Sequence, residues 1–237
     1  MKIAAIIQAR TGSTRLPGKV LIPIGGKPAL QWVTERIMKS DLIDHFLLAT
    51  TILVSDDSIE RFCGEYGIRC FRGSELDVLD RYYMAACSLG MGGSDIVVRI
   101  TGDCQLIEPK ICDSVISALM QSDADYVSNV VSRTFPKGLD CEAMRFFALE
   151  KSWRDAKLEY EREHVTQYIL KNPELFKIEN YAYHTDLSQM RWTLDTPEDL
   201  EFIKAVIEGL ATDNFDMNDV LSFLDKHPEL LEINSFT

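Results

Sequence analysis

The sequence predicts an α/β fold, a mixed and mostly parallel sheet flanked by helices, and three observations carry that prediction. Short apolar, β-branched runs alternate along the chain with longer stretches of helical period. The first run, residues 3–7, passes straight into a glycine-rich loop bearing three cations, "QARTGSTRLPGK". Several helical stretches open on a cap or proline signal, most clearly at Thr196-Pro197.

In order, residues 3–7 read as a buried strand. A turn at Gly25-Gly26 follows, and Pro28 suits the first position of a helix over residues 29–38. Residues 46–50 form a second strand, residues 56–66 a helix capped by Ser55 or Asp56, and residues 76–89 a helix with one apolar face. A buried strand over 96–100 precedes a helix over 109–120, a short strand over 126–128 and an extended piece over 139–144. Helices near 148–156 and 162–170 come next, then strands over 176–183 and 190–194. A helix over 197–210 and a terminal segment, 217–224, punctuated by Pro228, complete the pattern. With no internal repeat, low-complexity tract or long linker, one domain over residues 1–237 is the economical organisation.

Composition sets limits on function. The 37 acidic against 25 basic residues give a net charge of −12, the wrong sign for a nucleic-acid or anionic-membrane binder, so any anion must be held locally. The apolar start is too short for a signal-peptide core, and no later stretch approaches the roughly 18 apolar residues of a membrane span, which points to a cytoplasmic protein. The six cysteines include no C-x-x-C pair and read as buried, reduced thiols rather than disulfides or zinc ligands.

Ligands of open α/β sheets bind beyond the carboxyl ends of the strands, where the loop from Gln8 to Lys19 must emerge. Gly12 and Gly18 let the backbone turn and approach a ligand, while Thr11, Ser13, Thr14 and exposed N–H groups supply donors. Arg10 and Arg15 offer forked donors and Lys19 a point charge, a combination that suits a polyphosphate. The loop is neither G-x-x-x-x-G-K-[ST] nor G-x-G-x-x-G.

"QARTGSTRLPGK" followed by "GGKP" resembles the amino-terminal signature of the sugar-activating cytidylyltransferases, the group of the acylneuraminate and 3-deoxy-manno-octulosonate cytidylyltransferases. Within that group, "DVLDRYYMAA", "VVRITGDCQLIEP", "DYVSNV", "FPKGLDCE", "EREHVTQYI" and "RWTLDTPEDLEFI" are most similar to the branch called spore coat polysaccharide biosynthesis protein F. The resemblance runs from end to end. It implies a GT-A-like fold and a nucleotide site formed by Gln8, Ala9, Arg10, Thr11, Gly12, Ser13, Arg15 and Lys19, with Arg81 and Thr101. Read alone, Arg81 is equally an exposed helix residue paired with Asp77. Arg72 is a further candidate for the base pocket.

Nucleotidyl transfer needs charge neutralised at the phosphates, which oxygen-bound Mg²⁺ does well. In the resembled family the positions of Asp103 and Asp195 are the Mg²⁺-binding pair. On the residues alone, Asp103 is also ordinary turn chemistry, and Asp195 is either spare, if Thr196 caps the next helix, or itself the cap. For the sugar, the resemblance suggests the segments holding Lys137, Asp140 and Glu142, and Glu163 and His164; Asn129 is a candidate partner of sugar hydroxyls, and Arg133, Lys137 and Arg191 of a sugar carboxylate. The expected reaction is CTP plus an acidic sugar giving a CMP-sugar and pyrophosphate, with Arg10, Arg15, Lys19 and Asp103 doing the chemistry. The alternatives are a GT-A glycosyltransferase with a nucleotide-sugar donor and a non-catalytic nucleotide-binding relative. Relatives commonly pair as dimers, so Phe146, Phe147 and Trp153 are either homodimer contacts or core.

Overall fold

The strand that leads into the cationic loop, β1 (Ile3–Gln8), is apolar on both faces, so five of its six residues are buried inside a sheet. The computed structural model describes residues 1–234. A two-stranded hairpin of β2 (Pro23–Ile24) and β3 (Lys27–Pro28) follows the loop and leads into α1 (Ala29–Ile37). Next come β4 (His45–Thr51), α2 (Asp57–Glu65), β5 (Cys70–Gly73), α3 (Val78–Ser88), β6 (Ile96–Thr101) and α4 (Pro109–Gln121). The chain continues through β7 (Tyr126–Ser128), β8 (Glu142–Arg145), α5 (Phe146–Asp155), α6 (Glu159–Glu163), α7 (Gln167–Lys171) and β9 (Ile178–Asn180). Helices α8 (Pro197–Leu210) and α9 (Met217–Lys226) complete it.

The seven-stranded sheet has the order β5-β4-β1-β6-β8-β7-β9. Pairings β5–β4, β4–β1, β1–β6 and β7–β9 are parallel, while β8 runs antiparallel to β6 and β7. This is the mixed, mostly parallel GT-A-like sheet, and it brings the carboxyl ends of β1, β4, β5 and β6 to one edge. One face is covered by α1, α2 and α4 through Val33, Ile37, Ile59, Phe62, Val115 and Leu119. The other carries α3, α5 and α7 through Leu79, Tyr82, Leu149 and Ile169. A third apolar cluster joins the hairpin, α8 and α9 around Trp192 and Phe202.

Several local expectations change. Pro28 caps α1 instead of occupying its first turn. Residues 190–194 form a single bridge, Lys137 with Arg191, and no strand. The helix over 162–170 is two short helices broken around Val165, whose φ of 30° is left-handed. β5 and the hairpin are too short to leave a periodic signal. Phe146 is buried and Trp153 stacks on Tyr83, while Phe147 is exposed. All six cysteines are free thiols; Cys87 is exposed and Cys70 half-buried, against the expectation that every one would be buried. Among the described residues, no helix is long and apolar enough to cross a membrane.

Candidate active site

The loop after β1 is folded by its own backbone. Ser13 and Gly18 N–H groups both donate to the Thr11 carbonyl, and Gly18, at φ 69°, turns the chain into a short 3₁₀ segment, Lys19–Leu21. That segment buries Val20 and leaves the Lys19 side chain 12% exposed at the floor of a cleft of about 410 Å³.

Asp56 anchors the same loop. Its buried carboxylate accepts from the Thr11 N–H at 2.8 Å, the Thr11 hydroxyl at 2.6 Å and the Thr51 hydroxyl. Asp56 therefore makes no cap bond to α2, contrary to one expectation, and the Thr11 hydroxyl serves the loop's anchorage and not the cleft wall. Burial would raise the Asp56 carboxyl, but its hydrogen bonds from Thr11 and Thr51 hold it below the ordinary value. A depressed folded value contributes stability above the unfolded value, about 3.9, and loses it as pH falls through the folded one. We expect Asp56→Asn to remove part of the acid-induced loss of stability, measured by denaturation below about pH 4.

Asp103 leaves β6 through Gly102, which lies against the first loop. A Cβ on Gly102 would stand 3.0 Å from Ala9 Cβ and from the Gln8 carbonyl oxygen. The Gly102 N–H donates to that carbonyl at 2.8 Å, joining the ends of β1 and β6. The Asp103 carbonyl in turn accepts from Leu194 N–H at 2.9 Å, bringing the segment before α8 alongside.

Thr196 caps α8: its hydroxyl accepts from Asp199 N–H at 3.3 Å, and the Asp199 carboxylate accepts from the Asp195 and Thr196 N–H groups. Asp195 is thereby free for the cleft. Loss of the cap in Thr196→Ala should cost about 1 kcal/mol, read as a lower denaturant midpoint at unchanged m-value.

The three segments meet at one cation. Lys19 Nζ donates to Asp103 Oδ2 at 3.0 Å and to Asp195 Oδ1 at 2.8 Å. Arg191 holds Asp195 Oδ2 at 2.9 Å, with Arg15 3.3 Å from the same oxygen. Burial opposes the Lys19 charge, but Asp103 and Asp195 overcome it and hold the lysine above its ordinary value. For Asp195, burial likewise acts against charge, and Lys19, Arg15 and Arg191 hold the carboxyl below its ordinary value. Among the described residues, no group of three or more His, Cys, Asp or Glu side chains is arranged to hold a metal ion. Two converging carboxylates do suit a cation such as Mg²⁺ that completes its shell with phosphate oxygens and water.

The cleft is also lined by Gln8, Ala9, Arg10, Gly12, Ser13 and Arg15. Arg10 and Arg15 are about half exposed, with side-chain exposures of 46% and 60%, and stand at its mouth. Arg81 lies in the wall, 2% exposed; its Nη1 donates to the Ser74 carbonyl and, among the described residues, its Nε has no hydrogen-bond partner. This excludes the exposed reading, because Asp77 caps α3 and pairs with Arg162. Thr101 lines the cleft, whereas Arg72 binds the Thr51 and Leu53 carbonyls and lies outside it.

On the far side, His164 lines the cleft with Glu159 and Glu163. The remaining sugar candidates lie elsewhere. Asn129 is fully buried, its amide spent on the Leu139 carbonyl and the Cys141 N–H. Asp140 is held by a forked pair with Arg133, and Lys137 lies in the bridge to Arg191. Glu142 is buried behind the wall, paired with Arg99 and accepting from Tyr126 Oη at 2.6 Å. Arg191 braces Asp195 and Asp199 and does not line the cleft. Arg99, Glu75 and Glu159 line it unpredicted by the sequence reading. A cation inside the buried-type run of β6, two residues before Thr101 on the same face, was the available signal for Arg99.

A family model described as cytidylyltransferase matches residues 4–222. The chain belongs to the cytidylyltransferase family. A cytidylyltransferase from Leptospira borgpetersenii superposes with a TM-score of 0.93 at 36% identity, covering 100% of this chain and 99% of that one. An uncharacterised protein of Methanocaldococcus jannaschii is 41% identical over 99% of this chain and 95% of its own length. The spore coat polysaccharide biosynthesis protein SpsF of Bacillus subtilis is 33% identical over 96% of this chain and 95% of its own. The chain is accordingly a CTP-using nucleotidyltransferase.

Proposed function

We propose that this cytidylyltransferase joins CTP to a hydroxyl of an acidic sugar, giving a CMP-sugar and pyrophosphate for surface polysaccharide or glycan synthesis, with Mg²⁺ held by Asp103 and Asp195. The observation that carries the reading is the convergence of Lys19, Asp103 and Asp195, from three distant segments, at the floor of a cleft with Arg10 and Arg15 at its mouth. Mg²⁺ bound there would draw charge from the phosphate oxygens and improve pyrophosphate as a leaving group.

The sugar hydroxyl oxygen forms the new bond to the α-phosphorus in line and releases its proton to water, and the bond to the bridging oxygen of pyrophosphate breaks on the opposite side, its electron pair leaving with pyrophosphate. Arg10, Arg15 and Lys19 stabilise the charge that builds on the phosphate oxygens, so positioning and electrostatics supply the catalysis without a Ser, Cys or His nucleophile. The acceptor lies toward His164, Glu159 and Glu163, with Arg99 as the cation for its carboxylate. Likeness to SpsF supports the polysaccharide context.

The test is pyrophosphate release from CTP with a panel of 2-keto-3-deoxy sugar acids. Release that needs CTP, Mg²⁺ and one of these sugars supports the proposal. Turnover of nucleoside-diphosphate sugars with no pyrophosphate from CTP would favour a glycosyltransferase instead.

A further inference from the structure

We propose that Lys19 is a displaceable occupant of the divalent-cation position, so that nucleotide and metal enter the cleft together; the inference rests on the Mg²⁺-dependent reading above. Lys19 Nζ touches one oxygen of each carboxylate, Asp103 Oδ2 at 3.0 Å and Asp195 Oδ1 at 2.8 Å. A divalent ion held by these two oxygens would take the place of that ammonium, so the two would exclude each other.

The Asp195 carboxylate and the Asp103 main chain do not depend on the lysine for their places. Asp195 Oδ2 is held by Arg191 at 2.9 Å, and the Asp103 main chain is tied to Leu194 N–H at 2.9 Å. The lysine, by contrast, hangs on a four-carbon stem that lines the open cleft. In the nucleotide-free protein, a metal must evict an ammonium that has nowhere better to go. A triphosphate in the cleft offers that ammonium new oxygens. Each ligand therefore tightens the other by the same factor.

The experiment measures Mn²⁺ affinity of the nucleotide-free protein by electron paramagnetic resonance in wild type, Lys19→Met, Lys19→Gln and Arg15→Met. Both Lys19 variants are expected to bind Mn²⁺ roughly tenfold tighter or more. Arg15→Met, which removes an equal charge that touches only Asp195, should gain no more than about threefold. Equal gains in Lys19 and Arg15 variants would mean a general field effect and overturn the displacement, as would no gain at all. If the Lys19 variants do not fold, acetylation of wild type by an N-hydroxysuccinimide ester decides. Lys19 should be protected in the free protein and modified when Mn²⁺ is added without nucleotide; protection that Mn²⁺ leaves unchanged contradicts the proposal. Failure of the underlying reading has a separate signature: wild type with CTP would bind Mn²⁺ no better than Asp103→Asn with CTP.

Discussion

Asp103→Asn should lower pyrophosphate release from CTP by on the order of a thousandfold while the protein stays folded. The amide keeps the shape of the side chain and loses the charge that, with Asp195, faces the cation position at the cleft floor. Stability should change little, because Lys19 keeps its 2.8 Å bond to Asp195 and the Asp103 carbonyl keeps its bond to Leu194 N–H. Circular dichroism and denaturation separate the two effects. Full Mg²⁺-dependent activity in this variant would remove Asp103 from the chemistry.

Gly138→Ala is expected to destabilise the protein by about 3 kcal/mol or more. Gly138 has φ 114°, and a Cβ there would stand 2.4 Å from the Trp192 carbonyl oxygen and 2.5 Å from its carbon. Backbone cannot yield as a side-chain tip can. The close approach is imposed by the bridge in which Lys137 N–H donates to the Met190 carbonyl at 2.9 Å and Trp192 N–H to the Lys137 carbonyl at 2.6 Å. That bridge also sets the path to Asp195, so activity should fall along with the denaturant midpoint. A variant with wild-type stability would mean that the segment slides without cost and does not position the aspartate.

What the sequence revealed of this site follows from how local each signal is. The β1 run and its loop are decided within a dozen residues, so strand exit and cations were readable before any contact was known, whereas the cap rules left Asp195 either spare or itself the cap until the Thr196 hydroxyl's bond from Asp199 N–H decided it. The partners of Asn129 and Glu142 were not, because each side chain is spent on a residue brought close by the sheet: Cys141 for Asn129, and Arg99 and Tyr126 for Glu142. Arg191 is spent closer by, on Asp195 and Asp199, in a turn before α8 that carries no periodic signal. An asparagine at a strand end looks the same whether its amide meets a sugar or a neighbouring main chain. Asp56 illustrates the same limit, since its sequence neighbours suggest a helix cap and its actual partners are Thr51, at the end of β4, and Thr11, from the loop after β1 at the same sheet edge. Arg81 was ambiguous for a related reason: Asp77 lies at pairing distance along the helix, and only the fold supplies Arg162 as its competitor.

The central claim, a CTP- and Mg²⁺-dependent cleft, is tested most directly by thermal unfolding with CTP, UTP, GTP, ATP and dTTP, each with and without Mg²⁺. A ligand at 100 times its Kd stabilises by about 2.7 kcal/mol, which in a chain of this size raises Tm by roughly 5–10 °C. That rise is expected for CTP with Mg²⁺ alone, and is expected to be lost in Asp103→Asn. Equal stabilisation by all five nucleotides, or a CTP response indifferent to Mg²⁺ and to Asp103, would contradict it.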